Sequence, residues 1–403
     1  MKPVELETNE YRIEVHADPA EVDAQAWDEL LAQQGAPTPF MRHAYLHALH
    51  ASGSAVPQAG WAPRFVTLHQ DGRLQAACAL YLKAHSYGEY VFDWAWADAY
   101  QRHGLAYYPK LLGAVPFTPV PGTRLLARDA GARRQLAAVV TALAQQMGLS
   151  SAHLLFIDEQ DQAALLDAGW MRRQGLQFHW QQDTVAPVAD LAALLARMQR
   201  DKRKKIQQER RRVAEQGVVL SVHEGEAITP ALWDFFYRCY QSTYAAHHST
   251  PYLTRDFFAR MADAMPQHWL MFVARARESL DAPEGEPLAA SLVAIDRAQG
   301  VAWGRYWGAV RDLPCLHFEA CYYQPLAWCL ANGFVRFEGG AQGEHKMARG
   351  LLPVTTHSAH WLRDQRFADA VGTFLERERD GLDAYKGELG ERNPFKATPP
   401  AAS

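Results

Sequence analysis

Residues 334–350 read F-V-R-F-E-G-G-A-Q-G-E-H-K-M-A-R-G, and no other stretch narrows the choice of fold as much. Phe334, Val335 and Phe337 make a short apolar, β-branched and aromatic run after Asn332-Gly333, the pattern of a buried strand that follows a helix. The spacing predicts that strand over 334–337 and a break at Glu338-Gly339-Gly340. Gly339, Gly340 and Gly343 place three glycines in five positions, so the backbone can turn sharply or lie close to a ligand. Glu344, His345, Lys346 and Arg349 follow, offering a base, an imidazole and two cations. An open α/β sheet places ligand sites where a strand ends in such a turn. A solvated surface loop is the other reading of the same residue types.

Composition sets the outer limits. At 403 residues the chain predicts two domains, or three, each able to bury a core. The 48% hydrophobic and 21% charged shares are those of an ordinary globular protein. A net charge of -4 excludes a chain-wide polyanion-binding surface, so any basic site is local. Cys78, Cys239, Cys315, Cys321 and Cys329 are odd in number and lack C-x-x-C spacing. That argues against a disulfide framework and a zinc site and predicts a reducing, cytoplasmic setting. The N-terminal residues lack the apolar core of a signal peptide, and no apolar run reaches the ~18 residues of a membrane span.

The order of elements reads as one pattern twice. The first half has a strand at 11–16, helices at 23–33 and 39–51, strands at 64–69 and 73–83 across Asp71-Gly72, a helix at 130–147, a strand at 152–157, a helix at 160–168 and a strand at 171–180. After a linker at 181–190, residues 191–216 are expected as a helix. The second half has a strand at 218–223 and helices at 230–244 and 254–264. A meander at 269–275, 288–296 and 301–307 follows, with turns near Pro283-Glu284-Gly285 and Gln299-Gly300. A helix at 317–332, the strand at 334–337, a strand at 355–362 and a helix at 364–385 complete it. The expectation is an α/β chain with mixed sheets: domains 1–185 and 186–390 and a disordered tail at 391–403.

Two further stretches carry chemistry. Residues 83–108 mix many aromatic rings with Lys83, His85, Glu89, Asp93 and Asp98, which suits a groove lining that also includes Tyr87 and Trp96. The 191–216 helix carries Arg197, Arg200, Lys202, Arg203, Lys204, Lys205, Arg210, Arg211 and Arg212, nine cations within sixteen residues, against Asp201 and Glu209. On a net acidic chain this exceeds what solubility needs and fits a phosphate-rich partner; a solvated helix face is the plain alternative.

The order of elements is similar to the GNAT acyltransferase fold, twice, as in Fem-type aminoacyl transferases. More closely, the chain resembles the FemAB-like predicted N-acyltransferases of proteobacteria. The stretches that carry the resemblance are K-A-H-S-Y-G-E-Y-V-F-D-W (83–94), Y-Y-P-K-L (107–111), P-F-T-P-V-P-G-T-R (116–124), Q-F-H-W (177–180), G-R-Y-W-G (304–308), H-F-E-A-C-Y-Y-Q (317–324), G-A-Q-G-E-H-K-M-A-R-G (340–350) and H-S-A-H-W (357–361). The resemblance implies two tandem GNAT-like domains with an active cleft between them. It places the family's glycines, lysine and later Arg-Gly at Gly339-Gly340, Lys346 and Arg349-Gly350. The chain departs from acetyltransferases at the pyrophosphate loop: neither 310–316 nor 120–126 has the Q/R-x-x-G-x-G/A glycines whose N–H groups hold the anion. The resemblance leaves the donor as acyl-CoA or aminoacyl-tRNA. It implies no tightly bound cofactor and gives the basic helix a tRNA to bind.

N-acylation needs a neutral amine, a proton acceptor and donors facing the oxyanion. Glu344 is the candidate base, with His345 the alternative. Lys346 and Arg349 are the candidates for holding the oxyanion or a donor phosphate, and Arg305 for contacting substrate. Tyr322 or Tyr323 is placed to protonate the leaving group, with core packing as the other reading, and Glu319 to charge its helix N-terminus. Glu344, His345, His357 and His360 are weighed as a metal set and set aside, because H-x-x-H on a strand directs its rings to opposite faces. A non-catalytic protein that binds RNA or a cell-wall intermediate is the rival. An enzyme predicts that Glu344 and Lys346 converge, joined by residues of 83–98; a binding protein predicts that they do not. The acceptor is an amine, peptide or small molecule.

Overall fold

The computed structural model describes residues 6–7, 11–277, 285–341 and 343–396. They form two compact units. One holds residues up to Gly175 with Tyr252–Phe257 and Thr355–Ala384; the other holds Leu176–Pro251, Phe258–Val354 and the residues from Tyr385 on. The boundary at 175 replaces the expected one at 185, and 355–384 return to the first unit. Strand pairing explains both. Gln177–Gln181 lie antiparallel on the Arg336–Ala341 strand of the second unit. His357–Leu362 lie on the Ser151–Ile157 strand of the first.

In the first unit, Leu6–Glu7, Arg12–His16, Phe65–Gln70, Arg73–Cys78 and Leu126–Ala127 make one sheet. The hairpin expected at Asp71-Gly72 is there, with both residues at positive φ (51° and 73°), as a tight two-residue turn requires. Trp61–Pro63, Leu80–Lys83, Lys110–Gly113 and Ser151–Ile157 make a second ladder. Its last pair is parallel, joined across the helix Ala130–Gln146. The Leu136, Val140 and Leu143 face of that helix covers both sheets with Leu68, Leu80, Leu111 and Leu154. Beyond Gly113 the parallel strands separate, and the chain fills the gap itself. Residues 114–120 and 122–127 are buried. Gly122 N–H donates to Phe156 O (3.0 Å) and Arg124 Nε to Leu155 O (3.1 Å).

In the second unit, Val218–Glu224, Trp269–Ala276, Pro287–Asp296 and Val301–Ala309 form an antiparallel meander. The strand Arg336–Ala341 then runs parallel to Val301–Ala309, paired over Val301–Trp303 against Arg336–Glu338. The helical crossover spans Leu316–Phe318, a π turn at Glu319–Tyr323 and Gln324–Ala331. Its apolar side packs with Leu270, Phe272, Val293, Phe334 and Phe337. The strand begins two residues later than the pattern predicts, so Glu338, Gly339 and Gly340 lie within it rather than in a turn after it.

The single helix expected at 191–216 is two, Leu191–Arg197 and Arg200–Glu215. Met198 between them is extended and bridges Phe395. Of the expected tail, 397–403 lie outside the described residues, but 391–396 are placed: Lys396 N–H donates to Arg197 O (2.9 Å). Gln342, and Pro283 and Glu284 of the expected turn, also lie outside the described residues. Among the described residues no helix is long and apolar enough to cross a membrane.

Candidate functional site in the second unit

The parallel ladder of the second unit stops at Trp303 and Glu338. A bulge makes the separation abrupt. Leu292 pairs with Tyr306 and Val293 with Gly304, so Arg305 is an extra residue on its strand. Past that point Gly304–Trp307 and Gly339 flank a small cavity of about 110 Å³, together with Ser291, His317, Cys321 and Tyr322. The π turn brings Cys321 and Tyr322 to it; such turns insert a residue and re-aim side chains.

Lys346 packs against Gly339, which borders this gap. A Cβ on Gly339 would come within 2.5 Å of Leu351 and 3.3 Å of Lys346 Cδ, so only glycine leaves room there for the lysine. The ammonium donates to Gly340 O (3.0 Å). Lys346 is buried, and burial pulls its pKa down to about 8. Tyr322 Oη and His345 Nε2 share a hydrogen bond of 3.2 Å. Burial raises the Tyr322 phenol, against the pull of Arg349, and lowers both imidazoles, His317 to about 4; Arg349 and Lys346 lower the two imidazoles further. His317 stacks edge-on to Tyr322 (5.6 Å between rings) and Trp307 (5.5 Å). It is a site residue that the sequence reading passed over, although it opens the H-F-E-A-C-Y-Y-Q motif.

Several expected roles are revised. Glu344 is exposed and turned away from the gap, accepting from Tyr385 Oη (2.5 Å) and Arg392 (3.3 Å). It does not converge with Lys346, so the convergence expected of an enzyme fails for that pair. Arg349 is buried in a structural ion pair, donating Nη2 to both Glu209 oxygens at 3.0 Å and Nη1 to His345 O (2.6 Å), with its guanidinium 3.4 Å from the Phe318 ring centroid. Tyr323 Oη also donates to Glu209. Arg349 and Tyr323 therefore hold the loop and are not free for a ligand. Arg305 lines the gap and reaches Tyr306 Oη (3.2 Å). Glu319 is buried and accepts from Arg210 (3.2 Å) and Gln324 (2.7 Å).

In the first unit the 83–108 stretch separates its charges from most of its rings. Lys110, which no role had been assigned, donates to Ser86 (2.8 Å), Glu89 (2.7 Å) and Asp93. Lys83 is fully buried, 3.6 Å from the Trp61 ring centroid, donating to Tyr87 O (3.2 Å). Burial lowers Lys83 to about 7 and raises Glu89 to about 7. Trp96 is buried against His360 (4.9 Å). These residues form a core network and not a groove lining. Half-buried His85 and exposed Tyr87, Tyr90, Phe92 and Trp94 lie outside it.

Among curated proteins none matches the sequence significantly. Solved structures similar to it include L-PGS from Bacillus licheniformis (13% identity, 88% of this chain, 96% of that one, TM-score 0.53). FemX is similar to the same degree (11%, 87%, 98%, 0.53). So is the C-terminal domain of a putative lysylphosphatidylglycerol synthetase from Agrobacterium fabrum (12%, 88%, 96%, 0.53). At such identities they establish the fold alone, which this chain shares with each of them over most of its length. A family model for FemAB-like proteins, described as peptidoglycan biosynthesis/recognition, matches residues 18–397. The chain belongs to the FemAB-like family.

Proposed function

We propose that the protein is an N-acyltransferase that moves an acyl or aminoacyl group from an activated donor to an amine, with the chemistry in the gap of the second unit. The observation that carries this reading is the contrast between the two parallel pairs. In the first unit the gap is closed by the chain's own 114–125; in the second it is open and lined by Tyr322, His317 and Arg305. Strand groups past Trp303 lose their parallel partner, and a donor's amide and carbonyl groups can pair with them.

Lys346, still largely protonated at neutral pH, supplies a positive field for an oxyanion next to Gly339-Gly340. Tyr322 gives its proton to the departing group, and His345 at 3.2 Å returns one from solvent. The exposed Arg200, Lys204, Lys205, Arg211 and Arg212 offer a phosphate-binding face suited to an aminoacyl-tRNA donor. The glycine loop for a CoA pyrophosphate is missing from 310–316. The family description directs the acceptor search to amines of peptidoglycan precursors.

The test is the thermal stability of wild type and Lys346→Ala with acetyl-CoA, longer acyl-CoAs and charged tRNA. A ligand that binds only the folded state raises the melting point. A rise with one donor in the wild type, reduced in the variant, supports the reading. No rise with any of them counts against it.

A further inference from the structure

The short helical turn Glu344–Arg349 carries His345 and Lys346, and its two ends are held by different parts of the second unit. At the far end Arg349 is bonded to Glu209, and the Phe395 ring and Met198 cover Gly350, where a Cβ would lie 3.3 Å from Phe395 Cζ and 3.9 Å from Met198 Cε. At the near end the turn follows Gly343, whose φ of 105° is open to glycine and leaves a swivel in the backbone. Glu344 is the first residue past that swivel, and both of its carboxylate oxygens are engaged. Tyr385, near the end of the helix Gln365–Glu391, donates Oη to Oε1 (2.5 Å), and Arg392 just beyond that helix donates Nη1 to Oε2 (3.3 Å). The segment that follows is fixed in turn, since Gln199 N–H donates to Pro394 O (2.8 Å) and Lys396 N–H to Arg197 O (2.9 Å). His345 comes next after Glu344. Its ring folds back on Gly343, where a Cβ would fall 2.5 Å from Cε1, and its Nε2 meets Tyr322 Oη at 3.2 Å.

We infer that Glu344 is a positioning residue: gripped by Tyr385 and Arg392, it fixes the backbone from which His345 reaches Tyr322. This rests on the acyltransferase reading above, and it gives Glu344 a task other than the base that its residue type suggests. The carboxylate is not among the groups that line the gap, and both its oxygens are spent on the C-terminal residues. Its effect therefore passes through the neighbouring ring. When Tyr322 gives its proton to the leaving group, the phenolate takes one from His345 Nε2 and the other ring nitrogen takes one from water. His345 is exposed, so water reaches it. At 3.2 Å the bond between ring and phenol tolerates little lengthening before it is lost. With the grip on Glu344 removed, the swivel at Gly343 lets the ring drift, and a misplacement of about 1 Å is enough to slow a reaction about 100-fold.

The full chain is assayed with acetyl-CoA and alanyl-tRNA as donors and a panel of primary amines as acceptors. Glu344 is exposed, so replacing it leaves the core packed. Glu344→Ala should lower kcat about tenfold or more and keep KM for the donor within about twofold. Glu344→Gln retains an oxygen that accepts from Tyr385 and should restore most of the rate, which the loss of a general base would not allow. Tyr385→Phe removes one of the two bonds and should fall between them. In a His345→Ala background Glu344→Ala should cost nothing further, because its effect passes through that ring. Glu344 does not position the ring, and the transferase reading stands, if Glu344→Ala keeps the wild-type kcat or Glu344→Gln is as slow as Glu344→Ala. The same holds if the losses from Glu344→Ala and His345→Ala multiply. If wild type transfers from neither donor to any amine, the transferase reading itself fails and takes this inference with it.

Discussion

Glu209, on the basic helix, accepts Arg349 Nη2 on both carboxylate oxygens at 3.0 Å and so ties that helix to the loop carrying His345 and Lys346. Both partners are buried. Removing one leaves the other charge uncompensated, which costs far more than the pair contributes by itself. Glu209→Ala should lower unfolding stability by about 3–5 kcal/mol in urea titrations. A change within about 0.5 kcal/mol would mean that the pair is not maintained in solution.

Lys110 should be the keystone of the first unit. Its ammonium neutralises Glu89 and Asp93, with Asp93 held at about 2 although burial alone would raise it. Lys110→Met leaves buried Asp93 without its ion-pair partner and Glu89 with only Lys83, 3.9 Å away. A loss of about 3–5 kcal/mol is expected near pH 7.5. The loss should shrink towards pH 4 as the Glu89 group, raised to about 7, takes up a proton. A pH-independent loss would contradict the assignment.

Gly308 has no room for a methyl group, since a Cβ there would fall 1.8 Å from Cys239 O on the helix Pro230–Ala246. That helix is fastened to the same strand by Thr243 Oγ1 to Trp307 O and Ser242 Oγ to Ala309 O, both 2.8 Å. Gly308→Ala should cost about 3 kcal/mol or more and reduce the soluble yield. A melting point equal to that of wild type would show that the helix can move aside.

The stability effect of Lys346 should depend on pH in one direction. Its folded pKa of about 8 lies below the usual 10.5, so the unfolded chain holds more protons between those values and stability rises with pH there. Lys346→Met should therefore be more stable than wild type by about 1–3 kcal/mol below pH 8. The gain should fade towards pH 10.5. Denaturant midpoints at pH 6.5 and 10 read the difference, and a gain larger at pH 10 would reverse the assignment.

If the basic face binds RNA, Lys204→Glu combined with Lys205→Glu should weaken tRNA binding about tenfold or more at moderate salt. The slope of log affinity against log salt should drop by about 1–2. An unchanged slope in filter-binding titrations would return the cations to the role of a solvated face.

The sequence by itself determined the order of most elements, because periodicity and turn chemistry are local. It did not reveal the helix Trp94–Arg102 or the strand Lys110–Gly113, and the strand expected at 73–83 is two, Arg73–Cys78 and Leu80–Lys83, in different sheets. The Asp71-Gly72 hairpin, the crossover near 317–332 and the strand after it all follow from residues close together in the chain. It also marked the stretch where the candidate site lies, since three glycines and a lysine within eight residues are visible without coordinates. What it could not decide was which of two carboxylates in that stretch is buried. Glu338 and Glu344 are six positions apart and chemically alike. Glu338 lies in a strand flanked by Val301–Ala309 on one side and Gln177–Gln181 on the other. Glu344 follows Gly343 into solvent beside Tyr385 and Arg392. Those neighbours come from far along the chain. The sequence likewise could not show that Arg349 pairs with Glu209, or that 114–125 fill the first unit's gap. Burial and ion pairing are set by the packing of distant segments, and only the tertiary structure brings those segments together.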